Sequence, residues 1–252
     1  MKLFDLTGKV ALVTGGSRGL GKALARGLAE AGADIAISSR HENEMKPALA
    51  DILERTGRKG RYFVADMNKR GDVTALAKSV VDVFGHVDIL INNAGSNILQ
   101  QIDAIRDEDW DKLLELNLTS VMSLTRALVP QMKARKWGRI VHISSMLGLV
   151  SISGRNGYSA TKAALIGMAR ATALDLGPFS ITVNCIAPGP FLTDLAATLL
   201  SPAQKEEFAR NTALGRWADP KELVGPALLL VSDAGSYIAG QTIVVDGGYI
   251  AR

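Results

Sequence analysis

The stretch YSATK places Tyr158 and Lys162 four positions apart. On a helix that spacing sets both side chains on one face. A tyrosine alone, with a pKa near 10, is a poor base at neutral pH. A lysine cation beside it favours the tyrosinate, and a shift of two pKa units needs roughly 2.7 kcal/mol of differential interaction. Such a pair can pass a proton to or from a substrate oxygen. The spacing is common, so its surroundings matter. The apolar run GRIVHISS ends in Ser144 and Ser145, which offer a hydroxyl upstream of the pair. Further upstream, LNL holds Asn117, which reads either as part of a proton relay or as a hydrogen-bonded core amide.

A second group of residues suits an anion. TGGSRGLG, residues 14–21, follows the apolar run KVALV. Glycine in a regular element costs roughly 0.5–1 kcal/mol relative to alanine, so bare backbone must be needed there. A turn that follows a strand and opens a helix offers free N–H groups and the positive end of the helix dipole, and its glycines let a pyrophosphate approach. The residues that would do so are Gly15, Ser17, Arg18, Gly19, Leu20 and Gly21. An acidic residue about 20 positions later would favour NAD. Here Ser39 and Arg40 stand at that place. Two guanidinium groups, Arg18 and Arg40, suit a ribose 2′-phosphate, which points to NADP(H). Glu42 dilutes that local charge.

These groups need a frame. Seven stretches read as strands: residues 9–14, 34–39, 60–66, 87–92, 138–145, 181–187 and 242–246. Several are apolar without alternation, as in strands covered on both faces. Helical periodicity fills residues 42–57, 71–84, 107–135 and 156–176, and a first helix ends at Gly32. Alternating strands and helices predict an α/β fold: a single domain, residues 1–252, with a doubly wound parallel sheet of about seven strands and helices on both faces. Residues 191–219 break the pattern with short amphipathic pieces and read as a helical lid over the substrate.

Composition excludes several classes. The net charge of +4 comes from 29 basic and 25 acidic residues that are spread along the chain. The denser clusters, Arg55 to Arg61 and Lys133 to Arg139, read as solvated helix ends rather than a nucleic-acid patch. The single cysteine, Cys185, cannot form an internal disulfide and reads as a buried strand residue. His41, His86 and His142 show no metal-ligand spacing, so no metal is expected. No apolar run is long enough for a membrane span and no signal peptide is evident, which makes the cytoplasm the default.

The glycine spacing T-G-x-x-x-G-x-G at Thr14, Gly15, Gly19 and Gly21 resembles the signature of the short-chain dehydrogenase/reductase family, whose fold is Rossmann-type. The resemblance covers essentially the whole chain. It implies that Ser145, 13 residues before Tyr158, is the catalytic serine rather than Ser144. It makes Asn117, Ser145, Tyr158 and Lys162 a catalytic set, with Asn117 holding a relay water. It implies that Asp66 and the N–H of Met67 bind adenine. In NNAG, Asn93, Ala94 and Gly95 border the adenine-side ribose, while Lys162 grips the nicotinamide ribose beside Tyr158. Pro188, Gly189, Phe191 and Thr193 would border the nicotinamide carboxamide. Such proteins are often tetramers built on the helices carrying Asn117 and Tyr158, so a homotetramer or a dimer is expected.

The implied activity is NADP(H)-dependent interconversion of a carbonyl and a secondary alcohol. A non-catalytic NADP(H) sensor has no use for the full catalytic set. FDLTGKVALVTGG and the stretch ALGRWADPKELVGPALLLVSDAGSYIAGQTIVVDGG look most like gluconate 5-dehydrogenase-like members, which act on sugar acids. The 3-oxoacyl-carrier-protein reductases share nearly the same core. Arg155, three residues before Tyr158, is either a carboxylate partner or a solvated loop arginine. Against a sugar, the loop MLGLVSI, including Leu147, and the apolar residues Phe191, Leu192, Leu195, Leu199 and Leu200 suit an aliphatic ketone or acyl chain.

Overall fold

The inner strands are Val-, Ile- and Leu-rich because both of their faces are covered. In β1 (Val10–Thr14), β5 (Gly138–Ile143) and β6 (Ile181–Pro188) every residue is buried. The structure is a computed structural model, and it describes residues 2–193 and 201–251. The remaining strands are β2 (Asp34–Ser39), β3 (Gly60–Val64), β4 (Ile89–Asn92) and β7 (Thr242–Val245). All seven pair in parallel in the order β3-β2-β1-β4-β5-β6-β7. The order reverses between β1 and β4, which opens a crevice at the carboxyl ends of those strands.

The helices are α1 (Gly19–Glu30), α2 (Glu42–Leu53), α3 (Arg70–Phe84), α4 (Asp107–Leu114), α5 (Ser120–Arg135), α6 (Asn156–Leu176), α7 (Pro202–Arg210) and α8 (Val224–Val231). Val13, Ile91 and Val141 point to one face of the sheet, where α1, α2 and α8 pack. Leu12, Leu90 and Ile140 point to the other, beneath α3, α5 and α6. Between α4 and α5 the chain makes a wide π-helical turn, Glu115–Thr119, in which Asn117 is fully buried.

The sequence expectations match this architecture, with instructive differences at particular places. Helix α2 stops at Leu53, because Arg55 and Gly57 take positive φ. Helix α8 was not expected from VGPALLLV, whose glycine and proline mask the helical period; it forms because Leu230 and Val231 bury against the sheet. Arg139 is not a solvated helix-end residue. It is buried on β5, donates to the Gly138 and Ser180 carbonyls, and stacks on Trp137 at 4.6 Å. Of the proposed lid, residues 194–200, with Leu195, Leu199 and Leu200, lie outside the described residues. Its second half is α7, opened by a reciprocal Ser201–Gln204 capping box.

Gly27 on α1 faces Val224 on α8 so closely that a Cβ would overlap a valine methyl. Gly27→Ala is therefore expected to cost about 1–3 kcal/mol and to lower Tm by several degrees. Adding Val224→Ala should recover part of the loss in a calorimetric double-mutant cycle.

Candidate active site

A cleft of about 380 Å³ runs along the crevice, from the glycine-rich turn to the start of α6. The turn closes on itself at β4. Asn93 donates its amide to the carbonyls of Thr14 (2.8 Å) and Gly15 (3.2 Å), and Thr14 Oγ1 accepts the Asn93 and Ala94 N–H groups at 3.0 Å each. A Cβ at Gly21 would overlap the Gly15 carbonyl oxygen, so glycine there is a packing requirement. Gly15 and Gly19 take positive φ. The residue preceding α1, Arg18, makes no side-chain cap. The first residues of α1, Gly19 to Gly21, line the cleft, with the Thr193 methyl over Gly19. That arrangement fits a pyrophosphate.

Ser17, Arg18, Ser39 and Arg40 line the same end. Ser17 donates to Ser39 Oγ and to Glu44 Oε2, both at 3.3 Å. The carboxylate in this corner is thus Glu44. Glu42, expected to dilute the charge, instead accepts from the Tyr62 hydroxyl at 3.2 Å. Met67 lines the cleft, whereas Asp66 opens into an adjoining groove with Arg40. Asp66 Oδ1 accepts the Asn68 N–H at 3.1 Å.

At the other end the reacting groups meet. Lys162 is 4% exposed, and its ammonium donates to the Ile143 carbonyl at 2.7 Å. Burial lowers its pKa to about 8. Ser144 donates to the Lys162 carbonyl at 2.8 Å and so braces α6. Ser145 accepts the Leu147 N–H at 3.1 Å, which leaves its own proton for another acceptor. Tyr158 stands between Ser145 and Arg155. Burial pushes the phenol up from 10.0, while its bond with Ser145 and the Arg155 charge pull it down. The sequence reading assigns such a pull to Lys162, whose ammonium lies 5.6 Å from the ring centroid; Arg155 is a further cation that pulls on the phenol, and the spacing did not single it out.

Asn117 uses its side-chain amide within the protein. Its Oδ1 accepts the Ser96 N–H (3.0 Å), and its Nδ2 donates to the Ser96 carbonyl (2.9 Å) and Thr161 Oγ1 (3.1 Å). The amide clamps the loop after β4 to α6. Pro188, Gly189, Phe191 and Thr193 line the cleft wall after β6. Arg155 is not a solvated loop residue: it is 5% exposed and lines the cleft beside Leu147. Asn97, Phe208 and Trp217 also line it and were missed in the sequence. Only the lid's amphipathic pattern hinted at Phe208. Cys185 is fully buried, and burial pushes its thiol up to about 12, as for an inert strand residue. Among the described residues no helix is long and apolar enough to cross a membrane, and no three His, Cys, Asp or Glu side chains gather as metal ligands would.

Known proteins similar to this chain include dehydrogenases and reductases. A family profile described as "Enoyl-(Acyl carrier protein) reductase" matches residues 15–250. A 3-oxoacyl-[acyl-carrier-protein] reductase, FabG, of Chlamydia muridarum is 38% identical, over 96% of this chain and 98% of its own length. A 2-dehydro-3-deoxy-D-gluconate 5-dehydrogenase of Escherichia coli is 37% identical, over 100% and 99%. A crystal structure of a gluconate 5-dehydrogenase from Burkholderia cenocepacia, in complex with NADP and tartrate, superposes with a TM-score of 0.94 at 35% identity, covering 100% of this chain and 98% of that one.

The buried lysine makes stability depend on pH. Its folded pKa of about 8 lies below the 10.5 of a free lysine. Between those values the folded chain binds fewer protons than the unfolded one, so this group's contribution to stability rises with pH, and below 8 its buried charge is a standing cost. Relative to the parent, Lys162→Met should therefore be most stable near pH 6–7 and lose that relative advantage as pH passes 8, read by thermal melts across the range.

Proposed function

The chain belongs to the short-chain dehydrogenase/reductase family, and from that premise we propose that it is an NADP(H)-dependent oxidoreductase interconverting a carbonyl and a secondary alcohol. The observation carrying this reading is that Ser145, Tyr158 and Lys162 converge on one end of a cleft whose other end is the uncapped glycine turn. When bound, the nicotinamide supplies a hydride to the carbonyl carbon in reduction, or takes one from the carbinol carbon in oxidation.

The chain's own groups do the rest. Tyr158 gives its phenolic proton to the substrate oxygen in reduction and takes it back in oxidation. Ser145, its oxygen already bonded to the Leu147 N–H, donates its hydroxyl proton to the same oxygen. Lys162 holds the nicotinamide ribose, and Asn117 positions it by bracing the neighbouring Thr161. Pro188, Gly189, Phe191 and Thr193 hold the carboxamide, while Asp66 and Met67 take the adenine. Arg18 and Arg40 outweigh Glu44 in charge and receive the 2′-phosphate. The segment 191–219 covers the substrate.

For the substrate we favour a sugar acid of the gluconate/5-ketogluconate type. The kinship with sugar-acid dehydrogenases and the burial of Arg155 in the cleft support this. The second reading, a 3-oxoacyl-carrier-protein or other apolar ketone reductase, is favoured by the apolar wall of Leu147, Phe191, Phe208 and Trp217 and by the kinship with FabG. We place the protein in the cytoplasm as a homotetramer. Leu174 on α6 is 81% exposed and Met122 on α5 37%, apolar surface that subunit contact would cover. Light scattering should return four chain masses.

Initial rates with NADPH are expected to be highest for 5-ketogluconate among that acid, acetoacetyl thioesters and simple ketones. Tyr158→Phe should lower kcat by about 10²–10⁴-fold. Arg40→Ala should raise KM for NADPH by about 10-fold and leave NADH almost unaffected. Full activity in Tyr158→Phe, or a preference for NADH, would overturn the respective assignment.

A further inference from the structure

Arg155 is an unusual arginine. The residue is 5% exposed, whereas Arg18 and Arg40, the arginines at the other end of the cleft, are exposed. Among the described residues its guanidinium makes no hydrogen bond and no ion pair, and its Nε is buried without a partner. Of the carboxylates on the adjacent helix α4, the half-buried Asp109 is spent elsewhere, held by Arg106 (2.6 Å) and by Gln100 (2.7 Å). A buried, unpaired cation is costly and is ordinarily compensated by an anion. Nor is its position accidental. The Gln100 N–H donates to the Gly154 carbonyl at 3.1 Å in a parallel bridge, and the Ser159 N–H ties the Arg155 carbonyl into α6 at 2.8 Å.

A second orphan belongs to the segment that leads into that bridge. Asn97, three residues before Gln100, lines the same cleft, and its Oδ1 is buried with no donor. An amide oxygen can accept only from a donor such as a hydroxyl. We propose that Arg155 and Asn97 form the subsite for a hydroxylated carboxylate, Arg155 binding the carboxylate and Asn97 an adjacent hydroxyl, so that the enzyme selects a keto or hydroxy acid. This rests on the assignment of Tyr158 as the acid/base.

The subsite has a consequence for the chemistry. Arg155 lies one helical turn before Tyr158, and its charge opposes the rise that burial gives the phenol's pKa. The other groups facing the phenol are Ser145, from the end of β5, and Lys162 on its own helix. Phe208 and Trp217 from the lid bring no charge. Burial already keeps the phenol protonated, and a carboxylate on Arg155 removes one of the pulls that oppose it. An acidic substrate thereby reinforces the form of Tyr158 that reduction needs.

The test compares the parent with Arg155→Gln, Arg155→Lys and Asn97→Ala. Selectivity is the ratio of kcat/KM for 5-ketogluconate to that for fructose, a neutral ketose. Arg155→Gln is expected to lower this ratio by about 10–100-fold, mainly through KM, and Arg155→Lys to restore part of it. With fructose, the alkaline limb of kcat should move to higher pH in Arg155→Gln. Asn97→Ala should raise KM for both polyols several-fold. Calorimetric titration with tartrate should show weaker binding to Arg155→Gln than to the parent. An unchanged ratio together with unchanged tartrate affinity overturns the subsite. Parent enzyme that binds tartrate through Arg155 but reduces no ketone would overturn the catalytic assignment and leave the subsite standing. Circular dichroism checks each fold, and loss of tartrate binding in a well-folded Arg155→Lys as complete as in Arg155→Gln would argue for shape rather than charge.

Discussion

A buried ammonium hanging from a strand carbonyl organises the catalytic end of this molecule. Lys162 has no carboxylate partner among the described residues, and its bond to the Ile143 oxygen at 2.7 Å is what fixes it. That bond requires β5 to end where it does and α6 to begin close above it. Ser144 holds the second contact from the strand, through the Lys162 carbonyl. The turn after Ser145 comes so near α6 that a Cβ at Gly148 would stand 2.8 Å from the Lys162 carbonyl carbon. Ser145 and Tyr158 are therefore registered against each other by backbone packing as well as by the bond between their side chains. Burial lowers the affinity of Lys162 for its proton, yet a pKa of about 8 keeps most of the charge at neutral pH.

Much of this was readable in the residues. The parallel sheet follows from strands apolar on both faces, since only double coverage removes alternation. The glycine turn was legible because bare backbone is costly and must have a use. The Tyr158–Lys162 spacing and the preceding serines placed the reacting groups at the end of one strand and the start of one helix. Long-range placement was not legible. Nothing in the local pattern says that Arg139 would be buried on a strand edge against Trp137, or that Glu44 rather than Glu42 would turn toward Ser17. Helix α8 hid behind a glycine and a proline, because its stability comes from tertiary contact and not from propensity.

The electrostatics of the site were also beyond local reading. Charge near a phenol was inferred from spacing, which named Lys162 and passed over the buried Arg155, whose charge also pulls on Tyr158. Burial, partner and orientation decide which charge is felt. Arg155 was open between solvent and substrate in the sequence, and its enclosure removes the first of those readings.

The π-helical turn at Glu115–Thr119 has a consequence for how this chain can vary. Such a turn carries one residue more than an α-helical one and takes it up locally, so α4 and α5 keep the phase of a continuous helix on either side of it. The stripe of Val121, Leu124, Leu128 and Met132 therefore stays on the sheet whether or not the extra residue is present. Loss of one position would close an ordinary turn and take away the outward step that carries the Asn117 amide between the Ser96 backbone and Thr161. The widened turn is thus an insertion that the bundle hardly feels and that one side chain needs.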